Sequence, residues 1–138
     1  MKLVRRSLLL APLALAACAM PAPLAPPFPE KRGERRLVVV FANNAGSEPF
    51  NRQMALMATP RLRNFDFDLV EAVGRGPIRV NGEPRPTPTV DELANAYRVA
   101  GAFAVRLIDR QGDVRLALNR PLTFPELEAA VETWPEGA

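Results

Sequence analysis

The chain has 138 residues, of which 48% are hydrophobic and 24% charged, enough for one small globular domain but not for two separate cores. Its formal net charge of +3 includes Lys2, Arg5 and Arg6, which lie in a predicted export signal, and subtracting these three from 18 basic residues leaves 15, against 15 acidic ones. A neutral domain lacks the positive charge that neutralises phosphates, so we expect no nucleic-acid binding. Because the chain has no histidine, the commonest general base and metal ligand is missing, and we predict no cofactor and no metal site.

The amino end has the three parts of a secretory signal. A basic start is followed by an apolar run, Leu8 to Leu15, and then by small residues ahead of Cys18. The apolar run is much shorter than the about 20 residues that a membrane-spanning helix needs. We therefore predict a signal peptide at residues 1–17 and an exported protein.

Cys18 is the only cysteine and closes the run Leu15-Ala16-Ala17-Cys18, which resembles the bacterial lipobox. The resemblance implies that the Cys18 thiol is acylated and that the lipid attaches the protein to a membrane of the cell envelope. Ala19 stands where an aspartate signals inner-membrane retention in such lipoproteins, so the resemblance places the protein at the periplasmic face of the outer membrane. The alternative is an ordinary signal peptide that contains a cysteine.

Residues 18–35 are predicted to form a tether ahead of a folded domain at residues 36–138. Met20 to Pro29 is rich in proline, which disfavours helix and sheet and favours an extended spacer. Glu30 to Arg36 mixes both signs of charge, which indicates a solvated junction. The alternative is that its basic side chains contact anionic lipid headgroups.

Leu37 to Asn43 contains an uninterrupted apolar run without alternation, which predicts a strand buried on both faces. Ser47 is suited to cap a following helix, whose Phe50, Met54 and Met57 form one apolar stripe before Pro60 ends it.

Phe65 to Val73 alternates and predicts a second strand, with Asp66 and Asp68 on one face. We interpret these two carboxylates as a wet face at the edge of the sheet. Acid/base chemistry or calcium binding remains the alternative.

Gly74 to Pro88 is rich in turn residues and predicts a surface excursion, with Asn81-Gly82 suited to the turn of a small hairpin. Thr89 to Glu92 has the spacing of a capping box and predicts a helix from about Val90 to Arg98.

Phe103 to Ile108 and Val114 to Leu118 predict a hairpin, in which Gly112 takes the left-handed position of the turn. Thr123 to Glu126 is a second capping box and begins the last helix. The resulting α/β order is β-α-β-α-β-β-α, which predicts a mixed four-stranded sheet flanked by helices, with the first strand between the second and third. This is the core order of a thioredoxin-like fold.

Four stretches resemble a family of unknown function, the prokaryotic branch of the DUDES domains. They are Leu37 to Asn43, Ala102 to Leu116, Arg120 to Thr123 and Glu126-Leu127. DUDES domains are thioredoxin-like modules that also occur in sushi-repeat extracellular proteins and in equarin. The resemblance spans about Arg36 to Pro135 and implies the fold but no activity.

The sites that a thioredoxin uses for redox chemistry are changed in this sequence. The dithiol would lie between Ala45 and Pro49, where there is no sulfur, and the facing cis-proline would fall near Ala102-Phe103, where a phenylalanine stands. Acylation would block the thiol of Cys18. Thiol–disulfide exchange is therefore excluded by the residues present.

We predict a non-catalytic binding module that holds an envelope protein or a small ligand. Asn43, Asn44 and Ser47, at the strand-to-helix turn, and Phe103 nearby are the candidate contacts, since amides at a helix start favour anions. The alternative is that the three polar residues only build the turn and cap the helix.

Two other functional classes remain open at this point. One is an enzyme, either a cysteine-independent antioxidant or a hydrolase that uses Asp66 and Asp68. The other is a purely structural lipoprotein. The sequence leaves the oligomeric state open.

Overall fold

A computed structural model describes residues 27–57 and 61–138. The signal peptide, Cys18, most of the proline-rich tether and Pro60 lie outside the described residues. The strands are β1 (Arg36–Ala42), β2 (Phe67–Val73), β3 (Ile78–Val80), β4 (Glu83–Arg85), β5 (Phe103–Ile108) and β6 (Val114–Leu118). The helices are α1 (Glu48–Met57), α2 (Arg61–Asn64), α3 (Val90–Ala96) and α4 (Phe124–Glu132). None of the helices in the described ranges is long and apolar enough to span a bilayer.

The sheet is built around β1, as its apolar sequence predicts. Its strand order is β4-β3-β2-β1-β5-β6. β1 runs parallel to β2 and antiparallel to β5, and Val38, Val39 and Val40 are fully buried. The four strands β2-β1-β5-β6 have the predicted thioredoxin-like order, so the predicted fold class is confirmed.

The predicted number of four strands is too low, because the excursion after β2 forms two more. β3 and β4 pair as a hairpin, and β3 pairs with β2 at its other side. Asn81 at the turn has a φ of 51°, a left-handed conformation that asparagine tolerates better than most residues. The small hairpin that Asn81-Gly82 indicates therefore extends the sheet at one edge.

Each face of the sheet has its own apolar core. One core contains Phe50 and Met57 of α1 and Leu127 of α4, packed on Val38 and Val40. The other contains Leu93 of α3, Tyr97 directly after this helix and Phe28 of the amino-terminal segment, packed on the opposite side of β1. The double burial of β1 follows from this three-layer arrangement.

The packed chain begins earlier than the boundary predicted at Arg36. Phe28 is only 2% exposed and belongs to the core beneath α3. A single 3-10 turn, Pro29–Lys31, follows it. Because of this buried aromatic ring, residues 28–35 are part of the folded domain and not of a solvated tether.

Several boundaries differ from the predicted ones. β2 begins at Phe67, because Asp66 has a φ of 58° and breaks the extended backbone. α3 ends at Ala96, two residues early, and Arg98 is left-handed with a φ of 53°. The short helix α2 was not predicted. The hairpin β5–β6 has the predicted bounds, and Gly112 has the expected positive φ of 89°.

Gln53 joins α1 to the segment that precedes α4. Its side chain is buried at 0% exposure, donates Nε2–H to the carbonyl of Leu122 at 3.0 Å and accepts the Leu122 N–H at 2.5 Å. Leu122 is itself buried, so both of its backbone groups depend on this one amide. The predicted capping box of Thr123 and Glu126 is present directly after it.

We predict that Gln53→Leu lowers the free energy of unfolding by about 2–4 kcal/mol, because it leaves a buried N–H and a buried C=O without partners. Urea denaturation followed by circular dichroism measures the change. Arg52→Ala is the matched control, since it removes only an exposed pair with Glu48 and is expected to cost about 0.5 kcal/mol or less. A loss below about 1 kcal/mol for Gln53→Leu would contradict this role.

Candidate functional site

The candidate site is a cleft at the carboxyl ends of β1 and β2, the edge at which open α/β sheets commonly bind ligands. The cleft has a volume of about 370 Å³ and lies between the ends of these strands and α3. Asn43 follows β1, Gly74 and Arg75 follow β2, and Asp91 lies on α3.

Gly74 borders this cleft at a position where a larger residue would not fit without strain. Its φ is +59°, and a Cβ atom at this position would lie 3.2 Å from the carbonyl oxygen of Asn43. Its N–H donates to the carbonyl of Ala42 at 2.9 Å. A side chain at residue 74 would therefore be strained and would also press on the turn that carries Asn43.

Asn44 and Ser47 form the turn between β1 and α1. The Asn44 side-chain oxygen accepts the Gly46 N–H at 3.0 Å, and the Ser47 hydroxyl oxygen accepts the Phe50 N–H at 3.4 Å. Asn44 and Ser47 therefore build the turn and cap the helix, as the alternative to a binding role expects. Asn43 is exposed, as Asn44 is, but it differs from both residues because its side chain has no hydrogen-bond partner among residues 27–57 and 61–138.

Phe103 lies on the other side of the sheet from the cleft. It is 8% exposed and packs in the core beneath α1 and α4, whereas the cleft is lined by Phe41 and Ala72 of the opposite face. The structure therefore brings Asn43 to the cleft and Asn44 and Ser47 to the adjoining turn, but leaves Phe103 little surface for contact. Tyr97 is buried as well, and this burial raises its pKa to about 12, so it stays protonated.

Asp66 and Asp68 do not form the wet face that their alternation predicts. Asp68 is only 5% exposed. Its carboxylate accepts Lys31 Nζ at 2.8 Å and two Arg35 nitrogens at 2.9 and 3.1 Å. The Asn81 amide donates a further hydrogen bond at 3.1 Å. Asp68 is thus the anchor of a charge cluster that joins the amino-terminal segment, β2 and the β3–β4 turn.

Asp66 is more exposed than Asp68 and is paired differently. It is 52% exposed at its side chain and pairs with Arg110 at 2.8 Å and with Arg35 at 3.4 Å. The two carboxylates therefore face basic side chains and do not share a ligand site. Within residues 27–57 and 61–138 no group of three or more histidine, cysteine or acidic side chains could hold a metal ion.

The pKa of Asp68 is lowered even though the carboxylate is buried. Burial alone would raise it, but the hydrogen bonds from Lys31, Asn81 and Arg35 together outweigh that effect. Asp68 therefore stays ionised at neutral pH, which is unsuitable for a general acid, and its lone pairs are already occupied by donors.

Lys31 and Arg35 are the cationic partners of the buried Asp68 carboxylate, whereas the sequence predicts a solvated junction for both. Two features of the sequence indicate this pairing. One is the apolar Phe28 shortly before a basic run, and the other is an aspartate, Asp68, inside an otherwise largely apolar strand. A buried carboxylate needs cationic partners, and this chain supplies them from the residues just ahead of β1.

The chain is similar to one protein family and to several solved structures. A family model described as "Domain of unknown function (DUF4174)" matches residues 27–136. No curated protein matches the chain. The matching solved structures include one described as "Structural and functional characterizations of a thioredoxin-fold protein from Helicobacter pylori". Its sequence is 16% identical, the alignment covers 76% of this chain and 77% of that chain, and the TM-score is 0.44.

We predict that Asp68→Asn lowers the free energy of unfolding by about 3 kcal/mol at pH 7, because Lys31 and Arg35 lose their buried counter-charge. The folded-state pKa of Asp68 is lowered, so its stabilising effect is present above an unfolded pKa of about 3.9 and is lost as the pH falls through the folded value. Urea titrations between pH 7 and pH 2.5 should therefore show the two proteins converging in acid.

Asp66→Asn is the control for this series, because its carboxylate is half exposed and its pairs should contribute about 1 kcal/mol or less. Asparagine also tolerates the positive φ at this position. A difference between wild type and Asp68→Asn that is independent of pH would show that the charge of Asp68 is not what stabilises the cluster.

Proposed function

We propose a binding function for this chain, which belongs to the DUF4174 family: it is a non-catalytic, thioredoxin-like interaction module of a bacterial envelope lipoprotein. One observation carries the proposal. At the edge of the sheet where a thioredoxin does its chemistry, this chain has a cleft bordered by an exposed, unengaged Asn43 amide and no sulfur in the turn from Asn43 to Ser47.

The occupied carboxylates favour binding over hydrolysis. A hydrolase built on Asp66 and Asp68 would need one carboxylate with a pKa near neutrality or one free to activate water. The pKa of Asp68 moves the other way, and its oxygens accept hydrogen bonds from Lys31, Arg35 and Asn81.

The contact surface that we propose is the cleft together with the Asn43–Ser47 turn. Asn43 and the oppositely charged Arg75 and Asp91 border the cleft, so its polar groups can donate and accept hydrogen bonds. Such a mixed rim suits the surface of an envelope protein better than an apolar small molecule. The resemblance of the sequence to the DUDES domains supports the same proposal, since those modules also occur in extracellular proteins.

The envelope location rests on the sequence ahead of Pro27. The basic start, the short apolar run and the lipobox-like residues around Cys18 support export and acylation. Ala19 supports the outer membrane over the inner one. With residues 19–27 between the lipid and the fold, the cleft can reach partners near the membrane surface.

We expect radiolabelled palmitate, supplied to growing cells, to enter the wild-type protein and to be absent from Cys18→Ser. The reason is that the Cys18 thiol is the only sulfur nucleophile in the chain. Serine differs from cysteine here by one atom and serves as the matched variant. Equal labelling of both proteins, or none of either, would rule out lipidation at Cys18.

We expect a photoreactive amino acid at Asn44 to crosslink a specific envelope protein in intact cells, and Asn43→Arg to reduce that crosslink at least about fivefold by crowding the cleft. Mass spectrometry identifies the partner. The same photoreactive group at Glu132, which is exposed on α4, is the control and should not capture the partner. Identical captures from both positions, or a crosslink unaffected by Asn43→Arg, would exclude this surface.

A further inference from the structure

We propose that a second cavity, distinct from the cleft and beyond the proposed contact function, binds an organic ammonium ion: a ligand with an apolar body and a positively charged amine. The cavity lies between the residues at which the described chain begins, the segment from β4 to α3, and α3 itself. We refer to it as the amino-end cavity. Its volume of about 520 Å³ is within the usual range for small-molecule sites.

The walls of the amino-end cavity are largely apolar and held in place. Pro27, Pro29 and Pro88 supply rigid rings, and Ala96 supplies a small side chain from α3. Phe28 lines the cavity but is anchored in the core at 2% exposure. Walls of this kind lose little conformational freedom when a ligand binds, which favours an apolar ligand body.

The one basic side chain in the cavity is already engaged. Arg85 forms an ion pair with Glu30, donates Nε–H to the carbonyl of Thr87 at 2.8 Å, and lies with its Cζ 5.0 Å from the centre of the Phe28 ring. The hydrogen bond from Arg85 also lowers the pKa of Glu30, which keeps that carboxylate charged. The charges of Arg85 and Glu30 therefore cancel, and Arg85 is not available to bind an anion.

The charge that remains belongs to Glu92. Glu92 and Asn95 are three residues apart on α3, so they lie on the same side of the helix, and both line the cavity. Within the described residues the carboxylate of Glu92 forms no ion pair and no hydrogen bond, although its backbone N–H is capped by Thr89. An apolar cavity with one uncompensated carboxylate and an amide oxygen is complementary to an amine cation and repels an anion.

Phenethylammonium and phenylacetate test this assignment, because they share a ring and differ in the sign of their charge. Each is titrated into the isotope-labelled full chain and followed through backbone amide signals in NMR spectra. We expect phenethylammonium to shift Thr87, Asn95 and Ala96 saturably and to bind at least about tenfold more tightly than phenylacetate. Equal affinities, no saturable shift, or shifts centred on the cleft at Asn43 would overturn the proposal.

Two variants separate the charge from the shape of the cavity. Glu92→Gln keeps the size of the side chain and the backbone cap, and should weaken phenethylammonium binding about fivefold, the loss expected for one partly exposed ion pair. Ala96→Leu fills the cavity and should abolish the shifts. Glu132→Gln, on α4, is the charge-matched control and should bind as the wild type does. Unchanged affinity in Glu92→Gln would also overturn the proposal.

Discussion

The structure depends on the burial of β1 from both sides. A strand whose Val38, Val39 and Val40 are all inaccessible must have an apolar layer above it and another below. The chain meets this requirement with α1 and α4 on one face and with α3 and the amino-terminal segment on the other. At about 1.5–3 kcal/mol for each fully buried aliphatic side chain, β1 is a large part of the hydrophobic stabilisation.

The second layer explains the charge cluster. Residues 28–35 must lie against the sheet to bury Phe28, and this brings Lys31 and Arg35 to the start of β2. Asp68 can be buried there only because these cations accompany it. The attraction between Asp68 in β2 and the two cations ahead of β1 therefore fixes the path of the chain before the first strand. Asn81 connects the β3–β4 turn to the same carboxylate.

Local patterns predicted the parts of the fold that local energetics decide. The apolar run of β1, the β5–β6 hairpin with Gly112, and the Thr123–Glu126 capping box all depend on neighbours in sequence, and the structure has them as predicted. The parts that were wrong depend on distant residues. The alternating pattern around Asp68 indicates a solvent-exposed face of the strand. Its partner Lys31 is 37 positions away in the sequence, and hydrophobic periodicity gives no information about pairs so far apart. Phe103 pairs with Ala42 beside the turn, as expected, but its side chain lies in the core beneath α1 and α4 and has little surface for contact.

The burial of Phe28 has a mechanical consequence. Whatever the chain is attached to ahead of Pro27, tension applied there reaches Phe28, the Glu30–Arg85 pair and the Lys31–Asp68 pair before it reaches β1. These three attachments follow one another along the chain, so each must break before the next one is loaded. A pull on the amino end is therefore carried by peripheral contacts in series, and the central strand stays in register until they have given way.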